Sequence, residues 1–141
     1  LGLMYSPTAM VIAQTIIAFP IVAGLSFAAI QSLNPKLRLQ LVSLGASRWQ
    51  AAFLMIREAR LGLMAAVIAG FGRVISEVGA SMMVGGNIKG ETRVLTTATV
   101  MEVGKGNFDM AIAISLVLLL GAFAVVVLLT WLQHGGKRLQ L

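Results

Sequence analysis

The chain of 141 residues has no cysteine and a single histidine, and only 11% of its residues are charged. Without cysteine there is no disulfide and no thiolate metal ligand. His134 alone cannot build a metal site, and a zinc motif of the H-E-x-x-H kind needs a second histidine. No lysine is followed by serine or threonine, which excludes a G-x-x-x-x-G-K-[ST] phosphate loop. Soluble domains carry about 25% charged residues, so a chain this poor in charge is not one of them. Position 1 is leucine and no basic stretch precedes the first apolar run, so no signal peptide is recognisable. We expect a C-terminal fragment whose front end is missing.

What is present is apolar. Hydrophobic residues make up 58% of the chain and the mean hydropathy is +0.92. An all-α, polytopic membrane protein is expected, with three stretches each near the roughly 20 residues a spanning helix needs. They run over about 8–32, 61–83 and 110–132. Pro20 sits inside the first and predicts a kink, which spanning helices tolerate. Asn34-Pro35 ends it, because the residue before proline is biased away from helical geometry.

The charges orient the spans. Residues 33–60 hold Lys36, Arg38, Arg48, Arg57 and Arg60 against Glu58, a net of +4, and the tail holds Lys137 and Arg138. Residues 84–109 are neutral, with Lys89, Arg93 and Lys105 against Glu91, Glu102 and Asp109. Basic loops stay on the cytoplasmic side, so the 33–60 segment and the C-terminus are expected inside, and the stretch "VGGNIKGETRVLTTA" outside. This puts the N-terminus outside, which a further upstream span would explain. Tyr5 and Trp131 fall where interfacial aromatics belong. No basic face with interleaved aromatics suggests nucleic acid.

The second stretch carries Arg73 and Glu77 near its middle. On one helix, Gly62, Ala66, Gly70, Arg73, Glu77 and Ser81 share a face. Its lower half is small enough for another helix to approach closely, and Arg73 and Glu77 stand four residues apart and can pair. Leu63, Val67, Ile68, Phe71, Val74, Ile75 and Val78 would then face lipid. Two readings stand: an ion pair that locks packing, or a face lining a substrate path. Between the first two stretches, Leu37, Leu41 and Leu44, then Trp49, Phe53 and Ile56, recur at helical spacing on either side of Gly45, and Ser47 is a candidate N-cap. Such a helical hairpin either lies on the membrane surface or docks a cytoplasmic partner. The scattered methionines read as packing residues, Gly85-Gly86 as a helix terminator, and His134 as a solvated tail residue.

The order of these features, with "LGASRWQAAF", "REAR", "GLMYSPTAMVIAQ" and "GFGRVISEVGASMMVGGNI", resembles the membrane subunit of ATP-binding-cassette importers of the type I fold. Within that family it is most similar to the molybdate, tungstate and sulfate permeases, and to the tungstate group above all. The resemblance implies a single permease domain over 1–141 whose 33–60 loop is a coupling segment seated on an ATPase subunit. Gly45 matches the family's glycine, whereas Leu39, Gln40 and Leu41 replace its E-A-A residues and Arg57-Glu58 its Leu-Pro. Leu41, Leu44, Gly45, Ala46 and Trp49 are then the expected docking contacts. The implied partners are that ATPase, an extracytoplasmic oxyanion-binding protein, a second copy of the chain and membrane lipid. The implied location is a bacterial or archaeal cell membrane, the inner one where there are two. No cofactor is expected on this chain; ATP and magnesium belong to the partner, so the chain itself is not an enzyme.

A dianion crossing a membrane needs positive charge and many hydrogen-bond donors. Arg73, Ser81, Asn87, Lys89, Thr92, Arg93, Thr96 and Thr97 offer them. The expected path residues are Arg73, Glu77, Ser81, Asn87 and Arg93. The alternative is a structural or signalling membrane subunit with no path, in which the same charged face makes a helix contact.

Overall fold

The computed structural model describes residues 4–135, and every regular element among them is a helix. Helix α1 spans Pro7–Gln31. Ser6 caps it by accepting from the Ala9 N–H at 3.3 Å, and Pro7 takes the first-turn position, where a missing N–H costs nothing. The helix continues through Pro20 and closes at Ser32, whose N–H donates to the Ala28 carbonyl. The Asn34 side chain then accepts from the Lys36 N–H at 2.9 Å and starts α2, Pro35–Ser43.

The expected helix–glycine–helix loop is present. Gly45 has φ +82°, a left-handed conformation that a side chain strains, and it turns the chain between α2 and α3, Arg48–Glu58. Ser47 forms a reciprocal capping box with Gln50: its hydroxyl accepts from the Gln50 N–H, and Gln50 Oε1 accepts from the Ser47 N–H at 2.8 Å. Ala59 joins α3 to α4, Arg60–Ile75.

The second span departs from expectation. It is not one straight helix. It stops at Ile75 and resumes as α5, Gly79–Gly85, with a bend of 59°. The last turn of α4 tightens, the Glu77 N–H reaching the Val74 carbonyl three residues back, as helix ends do. Gly86, at φ +70°, terminates α5 by donating to the Met82 carbonyl, as the glycine pair predicts.

The stretch read as an outer loop contains a further helix, α6, Leu95–Gly104. Its run of threonine and valine lacks the periodicity that marks an amphipathic helix. Thr97 starts it by accepting from the Val94 N–H at 3.1 Å. Helix α7 covers Phe108–Gly135. The side chain of His134, and Lys137 and Arg138 of the basic tail, lie outside the described residues.

Helix α1 and helix α7 are each long and apolar enough to cross a membrane, and α4 with α5 qualifies as a third, broken span. This is a polytopic membrane protein. Helices α4 and α5 both pack on α1, α6 and α4 on α7, and α2 on α3. The residues buried between them are mostly small: Ala66 between spans, Ala59 at the α3–α4 junction, and Ala111 at the start of α7. Where lipid is as apolar as the side chains, close approach rather than hydrophobic exclusion joins helices. The small face of α4 does this inside the chain. A Cβ on Gly62 would sit 2.5 Å from that of Ala29, and a Cβ on Gly70 would collide with Val22.

Candidate functional site

Where α1, the α4–α5 break, the 86–94 turn, α6 and α7 come together, they leave a partly open cavity of about 690 Å3. Its walls are mainly apolar, from Phe71, Val74, Ile75, Val94, Leu95 and Leu118. Its polar groups are Gln14, Glu77, Arg93 and Thr96. Phe71, Val74 and Ile75 therefore line this cavity rather than making up a plain lipid face.

Glu77 lies in the break, not on a helix. One carboxylate oxygen pairs with Arg73 at 2.8 Å and the other accepts from the Ala80 N–H at 3.0 Å. It thereby joins the last turn of α4 to the first turn of α5. The side chain of Arg73 is 46% exposed and turned away from the cavity, while that of Glu77 is 12% exposed. The expected ion pair is present, with Glu77 in the cavity wall and Arg73 at the surface of this chain. The common face through Ser81 fails, because the helix ends before Glu77.

Ser81 is 1% exposed. It accepts from Gln14 Nε2 at 3.3 Å and donates to the Glu77 carbonyl at 3.4 Å. It is a strut between α1 and α5 rather than part of the cavity wall. Gln14 was not among the sequence candidates. Its signal was available: an amide with apolar residues on most sides, well inside the first span, where a polar side chain must find a partner.

Asn87 and Arg93 form one unit. Asn87 adopts a left-handed φ of +53°, which asparagine tolerates better than most residues. Arg93 Nε donates to Asn87 Oδ1 and Arg93 Nη2 to the Asn87 carbonyl, both at 3.2 Å. This holds the guanidinium in the cavity wall. Among the described residues Arg93 makes no ion pair. Beneath it Thr92, 2% exposed, accepts from the Ile88 N–H at 2.9 Å and donates to the Gly85 carbonyl. Thr92 and Thr97 are buried and spend their hydroxyls on the backbone, so neither serves as a donor to a passing ion. Lys89 is exposed and outside the cavity wall, whereas Thr96 lies in it. The charged groups of the cavity wall are thus Arg93, which makes no ion pair among the described residues but whose charge also acts on Glu102, and Glu77, which is paired with Arg73.

At the far end of the molecule the α2–α3 hairpin exposes Leu44 and Trp49, at 83% and 86%. Leu44, Gly45, Ala46, Gln50, Phe53 and Leu54 line a surface depression of about 370 Å3. Leu41 lies elsewhere, in a cleft with Leu37, Leu54, Arg57 and Leu61. Gln133 ties the last span to this end by donating to the Leu61 carbonyl at 2.8 Å. Among the described residues no three of His, Cys, Asp and Glu gather as metal ligands would.

Among known proteins, the chain is similar to the tungstate uptake system permease protein TupB of Peptoclostridium acidaminophilum. The two are 44% identical over 132 residues, 94% of this chain and 58% of that protein. The protein of the same name from Campylobacter jejuni is 40% identical over 137 residues, 97% of this chain and 56% of its own length. The molybdenum transport system permease protein ModB of Haemophilus influenzae is 32% identical over 89 residues, 62% of this chain and 39% of its own. No protein-family model matches the chain and no solved structure does. The chain spans a little over half the length of the tungstate permeases it matches.

Proposed function

The chain belongs to the ATP-binding-cassette permeases of the tungstate, molybdate and sulfate group, and on that footing we propose that it forms part of the membrane path by which an oxyanion, tungstate first, enters the cell. The observation that carries the reading is Arg93. Its guanidinium is held in the wall of the 690 Å3 cavity by both acceptors of Asn87 and makes no ion pair among the described residues, its carboxylate influence being a charge interaction with Glu102. A planar fork of donors fixed in this way suits a tetrahedral dianion. Glu77 opposes it only weakly because Arg73 compensates its charge. Gln14 and Thr96 add neutral donors from α1 and α6. Few donors against apolar walls give loose binding, which transport needs so that the ion also leaves.

The energy comes from a separate ATPase that carries ATP and magnesium and seats on the α2–α3 hairpin. The exposed Leu44 and Trp49 and the depression around Gly45 and Ala46 support that contact; Leu41 lines a separate cleft between α2, α3 and the start of α4. The hairpin and the C-terminus are cytoplasmic, two copies bracket the path, and an extracytoplasmic binding protein delivers the ion.

The test is tungstate uptake by proteoliposomes holding the full-length permease with its ATPase and binding protein. Arg93→Gln lowers uptake at least about tenfold, the factor matched by about 1.4 kcal/mol, while the protein stays folded and assembled. Arg93→Lys, which keeps the charge but not the fork, falls between. Gly45→Trp separates ATP hydrolysis from uptake by filling the hairpin depression. Parental uptake by Arg93→Gln removes Arg93 from the path. Sulfate and molybdate competing as well as tungstate would widen the substrate to the oxyanion class.

A further inference from the structure

Two weak points sit side by side in neighbouring spans. In α1, Pro20 has no N–H, so the Ile16 carbonyl lacks its helical donor. In the second span, the helix is interrupted between Ile75 and Gly79. The closest contacts of the α1 segment change partner near Pro20. Before it, Gln14 bonds Ser81, Met10 packs against Gly85, and the Tyr5 N–H donates to the Val84 carbonyl at 2.8 Å. All three partners belong to α5. After Pro20, Val22 and Ala29 pack on Gly70 and Gly62 of α4. The boundary is also loosely filled: Val11, Gln14, Thr15, Ala18, Phe19 and Val22 of α1 and Val74 of α4 border a second cavity, of about 370 Å3, so the first half of α1 meets α4 across a gap.

We propose that the Tyr5-end half of α1 and the whole of α5 move as one body about a hinge formed jointly by Pro20 and the Ser76–Val78 break, with Glu77 as its latch. Each half of the broken span is tied to its own half of α1, so bending one span without the other would tear packed contacts. Bending both at the same level spares these contacts and works against only the loosely filled side of Val74. Glu77 resists the motion, because its two oxygens hold Arg73 on one side of the break and the Ala80 N–H on the other. Kinks in helices concentrate at proline and at interruptions of the hydrogen-bond ladder, and hinges are a few residues at the ends of elements. Gln14 rides on the moving body while Phe71, Val74 and Ile75 stay with the other, so the motion widens or narrows the larger cavity. The hinge does not depend on which ion, if any, passes there.

The absence of cysteine makes the test direct. Spin labels are placed in pairs at exposed positions of the full-length permease in lipid nanodiscs, and pulsed dipolar spectroscopy reads the distance distributions. Ile12 with Phe27 spans Pro20, Val67 with Met83 spans the break, and Ile12 with Met83 lies within the moving body; all four are exposed. Glu77→Ala broadens the first two distributions and leaves the third narrow. Glu77→Gln, which keeps an acceptor for Ala80 but not the charge, broadens them less and covers the case in which Glu77→Ala fails to fold. Pro20→Ala restores the missing hydrogen bond and sharpens both crossing pairs, including the one in the other span. Broadening of Ile12–Met83 would show α5 moving alone. Sharpening at Ile12–Phe27 with no change at Val67–Met83 would show two independent bends. Either result, or three distributions insensitive to Glu77, overturns the proposal. Its failure would leave the uptake test of Arg93 untouched.

Discussion

Arg73 and Glu77 meet at 2.8 Å across the end of a helix rather than along it, because α4 stops at Ile75 and Glu77 turns back to reach both halves of the span. The four-residue spacing that lets two charges pair on a helix survives the break. The surface they share does not. The two residues are therefore unequal: Arg73 contributes one ion pair, and Glu77 contributes that pair and a helix start.

The first prediction follows from this inequality. Glu77→Ala should lower the melting temperature of the purified permease more than Arg73→Met does. Removing Arg73 leaves Glu77 its Ala80 N–H, whereas removing Glu77 frees a guanidinium and an amide together. Arg73→Met with Glu77→Leu should recover part of the Glu77→Ala loss, since an orphaned charge is the costly state. Equal losses in the two single variants would reduce Glu77 to an ordinary ion-pair partner.

The second concerns the α1–α4 contact. Gly70→Leu should cost about 1–3 kcal/mol, the usual effect of overfilling a packed site, because Val22 already occupies the space a side chain would take. Gly24→Ala meets nothing within 4 Å and removes a helix-weakening residue, so it should be neutral or slightly stabilising. Unfolding in mixed micelles measures both, and a tolerated Gly70→Leu would show that the helices separate freely.

Cross-linking between copies provides a third. Ala66 and Gly70 are buried against α1, so cysteines there should give no intersubunit disulfide. Ala65, Ala69, Gly72 and Ser76 recur at helical spacing on an exposed face of α4 and are where a second copy is able to come close. Cross-links at Ala66 or Gly70 in place of these would mean that α1 and α4 part in the assembled protein.

The fourth is a pH effect outside the candidate spans. Glu102 accepts from Lys105 Nζ at 2.8 Å and from Asn107 Nδ2 at 3.1 Å. Chiefly through Lys105, these hold its carboxyl below the usual carboxylate range. A carboxyl lowered by folding contributes stability that is complete above its unfolded value, about 4.3, and is lost as pH falls through the folded value. The melting temperature of the parent should exceed that of Glu102→Gln by a constant margin near neutrality, and the margin should shrink on acidification below about pH 4.3. A margin that grows in acid would contradict the assignment.

Much of the architecture was legible in the residues because it follows from local chemistry. Spans of apolar residues, the Asn34-Pro35 stop, the Ser47 N-cap and the Gly45 and Gly86 turns each depend on neighbours within a few positions. Two elements were not legible. Helix α6 is rich in threonine and valine and shows no clear amphipathic period, and the break at Ser76–Val78 carries no proline to announce it. An interrupted span is stable only where other groups satisfy the freed backbone. Here they are the Glu77 side chain and the local turn, with Gln14 of α1 bracing the break through Ser81 of α5.

The candidate site divides in the same way. Sequence alone determined that Arg73 and Glu77 fall inside an apolar span, where a charge is expensive and needs a partner, and that Arg93 belongs to the polar stretch that follows it. Only the tertiary structure decided which of them share a cavity. Arg93 and Glu77 are 16 positions apart in the chain yet line one wall-to-wall space, while Arg73, four positions from Glu77, is turned to the outside. Thr92 and Thr97, chemically fit to donate, are spent on the backbone. The type of a residue states what it is able to do; the 59° bend and the close approach of α1 to Gly62 and Gly70 determine what it faces.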